Sequence, residues 1–336
     1  EHPFPVQTSL QNRWIMIRSI EFRAMNTSVM LAAEGEGAIE GMYVTKLFID
    51  ECEQRFSRFL PASELSELNR SAGDWLQISD DLMDILQRSL KFYEETKGIF
   101  DPSILSDLKK AGYDRSMDEI RAHGVIAAPN GSKLASRPAF SEISFNLADN
   151  SVRLPRGMEI DLGGIAKGWI VEKAAHLLHQ YVEVCGVSAG GDILFIGQPL
   201  DGLDWDVYLE DPRSPTQMLA QLHIPCGAVA TSSVMKRTWM QGDKVRHHLI
   251  DPRTGEPAKT DWLSVTVIAP DVMTAEIYAK ALLIVGAQGV PDLLKTKPEV
   301  TFIAVDPYGN LLGSPNYKDY IYEFTPGIFL FNEIAR

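Results

Sequence analysis

Between residues 157 and 178 an apolar run, Gly157-Met-Glu-Ile160, gives way to Asp161-Leu-Gly-Gly-Ile-Ala-Lys-Gly168, and apolar residues then recur at Ile170, Val171, Ala174, Ala175, Leu177 and Leu178. This pattern predicts a strand that turns through two glycines into a helix packed on one side. The corner constrains the chemistry as well as the path. Gly163 and Gly164 let backbone N–H groups approach an anion closely, and the helix N-terminus together with Lys167 adds positive potential, so the segment reads as a seat for a phosphate. It is not a P-loop, because Gly-Lys-Ser/Thr is absent, nor does it carry the G-x-G-x-x-G order of a dinucleotide fold. A Gly-Gly corner of this kind also serves as a plain packing device, and taken alone it leaves both readings open.

The rest of the chain supplies a mixed architecture. Arg18 to Ala33 reads as strand around a Met25-Asn-Thr27 corner, Ala38 to Phe56 as a long amphipathic helix, and Asp80 to Thr96 as a second helix capped near Ser79. Asp114 to Arg137 is polar and dotted with Gly and Pro, which predicts an irregular excursion. Ile143 to Leu154 reads as two short strands joined by Asp149-Asn150. Strands are then expected at Val182–Val187, Asp192–Gly197, Trp205–Leu209, Met218–Ile224, Gly227–Thr231, Ser264–Ala269 and Val300–Asp306, with a helix at Val272–Val285. Strands in hairpin-like runs with a few long helices predict an α+β fold, two-lobed, with mostly antiparallel sheets and a ligand cleft between the lobes. Residues 18–306 form one expected domain. Residues 307–336, with Tyr308, Tyr317, Tyr320, Tyr322, Phe324, Phe329 and Phe331, form an aromatic tail expected to pack back onto it.

Composition matters mainly for what it excludes. A formal net charge of −13 argues against a nucleic-acid partner, and it requires that an anionic ligand be met by local positive groups. No run of 18 apolar residues occurs, so no transmembrane segment is expected. Cys52, Cys185 and Cys226 lack partners at metal-ligand spacing and read as reduced, mostly buried thiols. The chain starts at Glu1 rather than Met, which leaves the compartment open: cytoplasmic as given, or extracytoplasmic if an N-terminal signal or lipobox was removed.

Further segments keep company with the corner: Phe56-Ser-Arg-Phe-Leu-Pro-Ala-Ser-Glu-Leu65 with Asn69, Gly98-Ile-Phe-Asp-Pro102, Ser188-Ala-Gly-Gly-Asp192, Ala230-Thr-Ser-Ser233, His247-His-Leu-Ile-Asp-Pro-Arg-Thr-Gly255 and Thr274-Ala-Glu-Ile-Tyr-Ala-Lys280. In this order and spacing the set closely resembles the ApbE family of FAD:protein FMN transferases, from about Phe22 to Val305. The resemblance implies that a Ser or Thr hydroxyl of an acceptor flavoprotein attacks the pyrophosphate of FAD, that FMN becomes esterified to it, and that AMP leaves. It implies His248 as the base, with Asp251 orienting it or sharing the work. For the flavin it implies Met25 and Phe59 against the ring system, Ile99, Phe100 and Asp101 on the other side, and Asp161 and Ile250 near the nucleotide. Read without the resemblance, Met25, Phe59 and Phe100 are simply core residues. Lys167 and the corner amides would meet the phosphates, and the Thr231-Ser-Ser233 hydroxyls would either donate to the ligand or satisfy a turn.

The resemblance also implies magnesium, held by a backbone oxygen at the corner and by an Asp and a Thr one helical turn apart. The corresponding positions here are Gly164, Glu276 and Ala279, with Lys280 where the Thr is expected. Glu shifts its carboxylate by about one bond length, and an ammonium does not ligate at all. Lys280 then either puts its charge where the metal would be or pairs with Glu276 at i, i+4. Three functions follow from the resemblance: transfer to a protein, hydrolysis of FAD to FMN and AMP with water as acceptor, and flavin binding with impaired catalysis. The acceptor hydroxyl implied by the family lies in an Asp/Ser-Gly-Ala-Thr-like segment, of which this chain has no close copy.

Overall fold

The computed structural model describes residues 17–126, 137–199, 202–325 and 330–333. Its centre is a nine-stranded sheet in the order Arg18–Ala24, Thr27–Glu34, Val184–Ala189, Asp192–Ile196, Gly227–Ser233, Ser264–Ala269, Thr301–Val305, Leu311–Gly313 and Leu330–Glu333. Every neighbouring pair is antiparallel except the last, which is parallel. In Thr27–Glu34 the side chains of Val29, Leu31 and Ala33 point inward in strict alternation. Ser264–Ala269 is buried at every position, as a central strand covered on both faces must be.

One face carries the helices Ala166–His179 and Val272–Leu294, and Ala38–Phe56 packs on the first of these. Together they enclose the main core. The other face is closed by a three-stranded sheet, Ile321–Phe324, Ser214–Ile224 and Trp205–Asp211, over a second core that includes Leu222, Ile303 and the fully buried Tyr317. A third, small core gathers Leu108, Tyr113, Met117, Ile120, Trp239 and Ile250, and makes a separate lobe beside the corner.

Most expected elements are present with ends moved by one or two residues, although the strand expected from Met218 begins four residues earlier, at Ser214. Val272–Leu294 runs nine residues past its expected end, through a break at Gly286, where φ is +65° and a Cβ would meet Asp261 at 2.4 Å. By length and composition this helix is, among the described residues, the one able to cross a bilayer, yet Val272, Ala275, Ile277, Leu282 and Leu283 are fully buried in the core. Inside the expected excursion at Asp114–Arg137, Met117–His123 is helical, started by a reciprocal Ser116–Glu119 capping box, while residues 127–136 lie outside the described residues. Cys226 is exposed, whereas Cys52 and Cys185 are buried and burial pushes both thiols up to about 12. Beyond residue 306 the chain contributes Leu311–Gly313 and Leu330–Glu333 to the central sheet; Phe329 lies outside the described residues.

Candidate active site

Between the main core and the small third core lies a cleft of about 450 Å³, within the range of small-molecule sites. The Gly-Gly corner forms its floor. The segment leading into the corner is not a strand, contrary to the sequence expectation, since no neighbouring strand among the described residues pairs with residues 157–160. Asn69 clamps it instead by exchanging two hydrogen bonds with Ile160, at 2.8 and 2.9 Å, and the Asp161 amide donates to Pro102 O at 2.8 Å. The Asp161 carboxylate then accepts the Gly163 N–H at 2.9 Å, which fixes the turn before the helix begins at Ala166. Gly164 keeps this corner open: a Cβ there would stand 2.9 Å from Lys280 Nζ and 3.2 Å from Phe100, and both side chains would have to shift.

The positive end of that helix is already partly occupied, by Glu276. Its Oε2 accepts the Gly168 N–H at 2.8 Å, and its Oε1 lies 3.8 Å from Lys167 Nζ and 3.7 Å from Lys280 Nζ. Lys167 lines the cleft, but its ammonium pairs with the buried Asp192. Burial lowers its pKa to about 8, against the opposing pull of Glu276. Lys167, expected to meet the phosphates, is thus in the cleft, with its charge already matched by Asp192 inside the protein.

The residues around the expected metal position do not fit magnesium. Gly164 O, the backbone oxygen in question, accepts from Lys280 Nζ at 2.9 Å, so an ammonium stands where the ion would. Both oxygens of Glu276 are engaged as described. Ala279 is fully buried in the core helix and offers no ligating side-chain atom. Among the described residues no cluster of three His, Cys, Asp or Glu side chains could hold a metal.

The walls follow the expectations more closely. Met25 and Asn26 both have positive φ, +54° and +56°, and form the two-residue turn that carries Met25 to the cleft rim. Asparagine tolerates that backbone; a methionine there is strained, a cost of about 1 kcal/mol that the hairpin holds in place. Phe59, Ile99, Phe100, Asp101, Asp161 and Ile250 also line the cleft. Asp101 does so as a held group: Arg137 donates to it at 2.7 Å, and its other oxygen accepts from Ser103. Thr231 does not reach the cleft, because its hydroxyl pairs with that of Thr266 on the neighbouring strand at 2.8 Å. Ser233 is likewise consumed, by Leu263 O and the Met235 amide.

Several cleft residues carried no role in the sequence reading. Arg58, inside the quoted Phe-Ser-Arg-Phe segment, lies over the rings of Phe59 and Tyr113 at 4.1 and 4.7 Å and faces Asp161 at 3.6 Å. Arg237 lines the cleft and hydrogen-bonds the Tyr113 side chain; no carboxylate among the described residues pairs with it. Lys236 beside it pairs with Glu210. Consecutive cations after a strand were a signal in the sequence, but nothing there tied Lys236 and Arg237 to the corner that ends at Gly168.

His248 lines the cleft, and its Nδ1 is buried with no hydrogen-bond partner, while the ring bonds the backbone of Arg237. Burial, with Arg237 and Lys280 nearby, holds its pKa well below the usual imidazole value. Asp251 does not accompany it. Both of its carboxylate oxygens are gripped by Arg253, at 2.8 Å each, so Asp251 shapes the turn and is neither the orienting group nor a second base. A stability effect follows from the two adjacent histidines, since burial also lowers His247. With folded pKa values below the unfolded value of about 6.5, the unfolded chain binds protons first as pH falls. Stability is therefore expected to be full above that value and to decline on acidification below it; thermal melts from pH 8 to 5 check this, and a His247→Phe/His248→Phe variant should flatten the decline.

The sequence profile of the ApbE family matches residues 25–304. A FAD:protein FMN transferase of Treponema pallidum is 30% identical over 309 residues, covering 86% of this chain and 82% of that protein. One from Vibrio cholerae is 27% identical over 248 residues, 71% of this chain and 72% of the relative. Among solved structures, the ApbE protein of Thermotoga maritima superposes with a TM-score of 0.79 at 24% identity, over 92% of this chain and all of that one. The flavin transferase ApbE of Vibrio cholerae gives 0.73 at 19% identity, over 91% of this chain and 100% of the other. These two establish that the α+β architecture is shared.

Proposed function

The chain belongs to the ApbE family, and from that membership and the cleft together we propose that it transfers FMN from FAD to a Ser or Thr hydroxyl of a partner flavoprotein, with release of AMP. The observation that carries the reading is His248: a neutral imidazole with an unpartnered Nδ1, in the same cleft as Arg237 and Lys280. A base kept unprotonated beside cations suits a reaction in which a hydroxyl must lose its proton next to a pyrophosphate.

In the proposed reaction the hydroxyl oxygen forms a bond to the FMN phosphorus, the bond from that phosphorus to the bridging oxygen breaks, and AMP departs with the electron pair. The hydroxyl proton passes to His248 Nδ1. Arg237 and Lys280 face the negative charge that gathers on the phosphoryl oxygens and the leaving group, and they need no reorganisation to do so. Phe59, Met25 and Phe100 offer apolar surface for the isoalloxazine, and Arg58, stacked on Phe59, stiffens that wall. The metal position contributes no step here, because Lys280 fills it.

The test is to incubate the protein with FAD, with and without an acceptor bearing the Asp/Ser-Gly-Ala-Thr-like segment, and to separate the nucleotides by chromatography. AMP is expected only with the acceptor. Equal AMP in both reactions would mean that water is the acceptor, and none in either would leave a flavin-binding protein. Because His248 is held neutral, turnover is also expected to stay level as pH falls through about 6.5, where an ordinary histidine would already be half protonated.

A further inference from the structure

We propose that the Lys280 ammonium is the built-in cation that receives the diphosphate of FAD, so that this site needs no divalent ion. The inference deepens the functional reading above and rests on it. Three observations carry it. The ammonium is anchored, donating to Gly164 O at 2.9 Å, yet it still lines the cleft and so has donors left for a ligand. The carboxylate that would have served a metal is unavailable, since Glu276 gives one oxygen to the Gly168 N–H and sets the other near both Lys167 and Lys280. Charge also sums in the required direction: the pairs Lys167–Asp192 and Lys280–Glu276 are balanced, and Arg237, close enough to act on Lys280, is a further cation with which no carboxylate among the described residues pairs. Two cations side by side repel, and a diphosphate between them removes that repulsion.

The experiment compares FAD affinity, by isothermal titration, in EDTA and in MgCl2. For the unaltered protein the dissociation constant is expected to agree within about two-fold between the two and to weaken with added NaCl. Lys280→Met is expected to weaken FAD about ten-fold or more, unrescued by magnesium, while riboflavin, which has no phosphate, binds as before and reports an intact pocket. Lys280→Thr with Glu276→Asp is expected to convert the site to one whose FAD affinity rises with magnesium. A separate titration of the ligand-free protein with MnCl2, read by electron paramagnetic resonance, should show no bound ion. Magnesium strengthening FAD binding about ten-fold in the unaltered protein, manganese bound at the corner, or Lys280→Met binding FAD normally would each overturn the proposal while leaving the flavin site standing. No FAD binding in any arm would overturn the functional reading, and the proposal with it.

Discussion

His248→Ala is expected to slow flavin transfer by about two to four orders of magnitude while leaving FAD affinity nearly intact, the range for removal of a general base. The two measurements separate because His248 would act on the acceptor's proton and not on the nucleotide. Single-turnover kinetics with a saturating acceptor, alongside FAD titration, give both values. Equal losses in both would make His248 a binding residue; unchanged turnover would leave the cleft without an identified base, since the Asp251 carboxylate is tied to Arg253.

The second large effect is on stability. Glu276→Ala removes the carboxylate at 3.7 and 3.8 Å from two ammonium groups and strips the Gly168 N–H of its acceptor, all in a nearly closed interior. Breaking a buried charge cluster by deleting one partner costs about 3–5 kcal/mol, because the remaining charges are left desolvated. Urea unfolding of Glu276→Ala is expected to show a loss in that range, and Lys280→Met in the same background should recover part of it by removing the orphaned cation. Full stability in Glu276→Ala would mean that water or a rearranged lysine meets these groups instead.

The sequence revealed the fold well where local signals were strong. Ile20, Phe22, Val29 and Leu31 around the Met25-Asn-Thr27 corner marked the first strand pair, and Ser79 before Asp80-Asp81 marked a helix start that the Ser79 side chain does cap, accepting from the Leu82 amide. Gly286 misled for a physical reason: a glycine after an apolar run reads as a helix end, and only the packing of Asp261 against it shows that the chain bends there and continues.

Within the site, residues close to the Gly-Gly corner or in the quoted aromatic segments were legible, among them Asp161, Phe59 and Phe100. What stayed hidden was pairing across long separations. Nothing in Ser188-Ala-Gly-Gly-Asp192 announces that Asp192 neutralises Lys167, and nothing near residue 113 announces that Tyr113 meets Arg58 and Arg237. Thr231 and Asp251 misled in the opposite direction, since hydroxyls and carboxylates beside a motif are as readily spent on a neighbouring strand or turn as on a ligand. Lys280 was visible as a departure from its family, but choosing between a metal substitute and a surface pair required the position of Gly164 O.

Flavin transfer from this cleft is tested most directly by the intact mass of an acceptor protein after incubation with this chain and FAD. The acceptor is expected to gain one FMN group on a Ser or Thr, with one AMP formed for each, and to gain none with His248→Ala. An unmodified acceptor alongside accumulating free FMN and AMP would contradict the account.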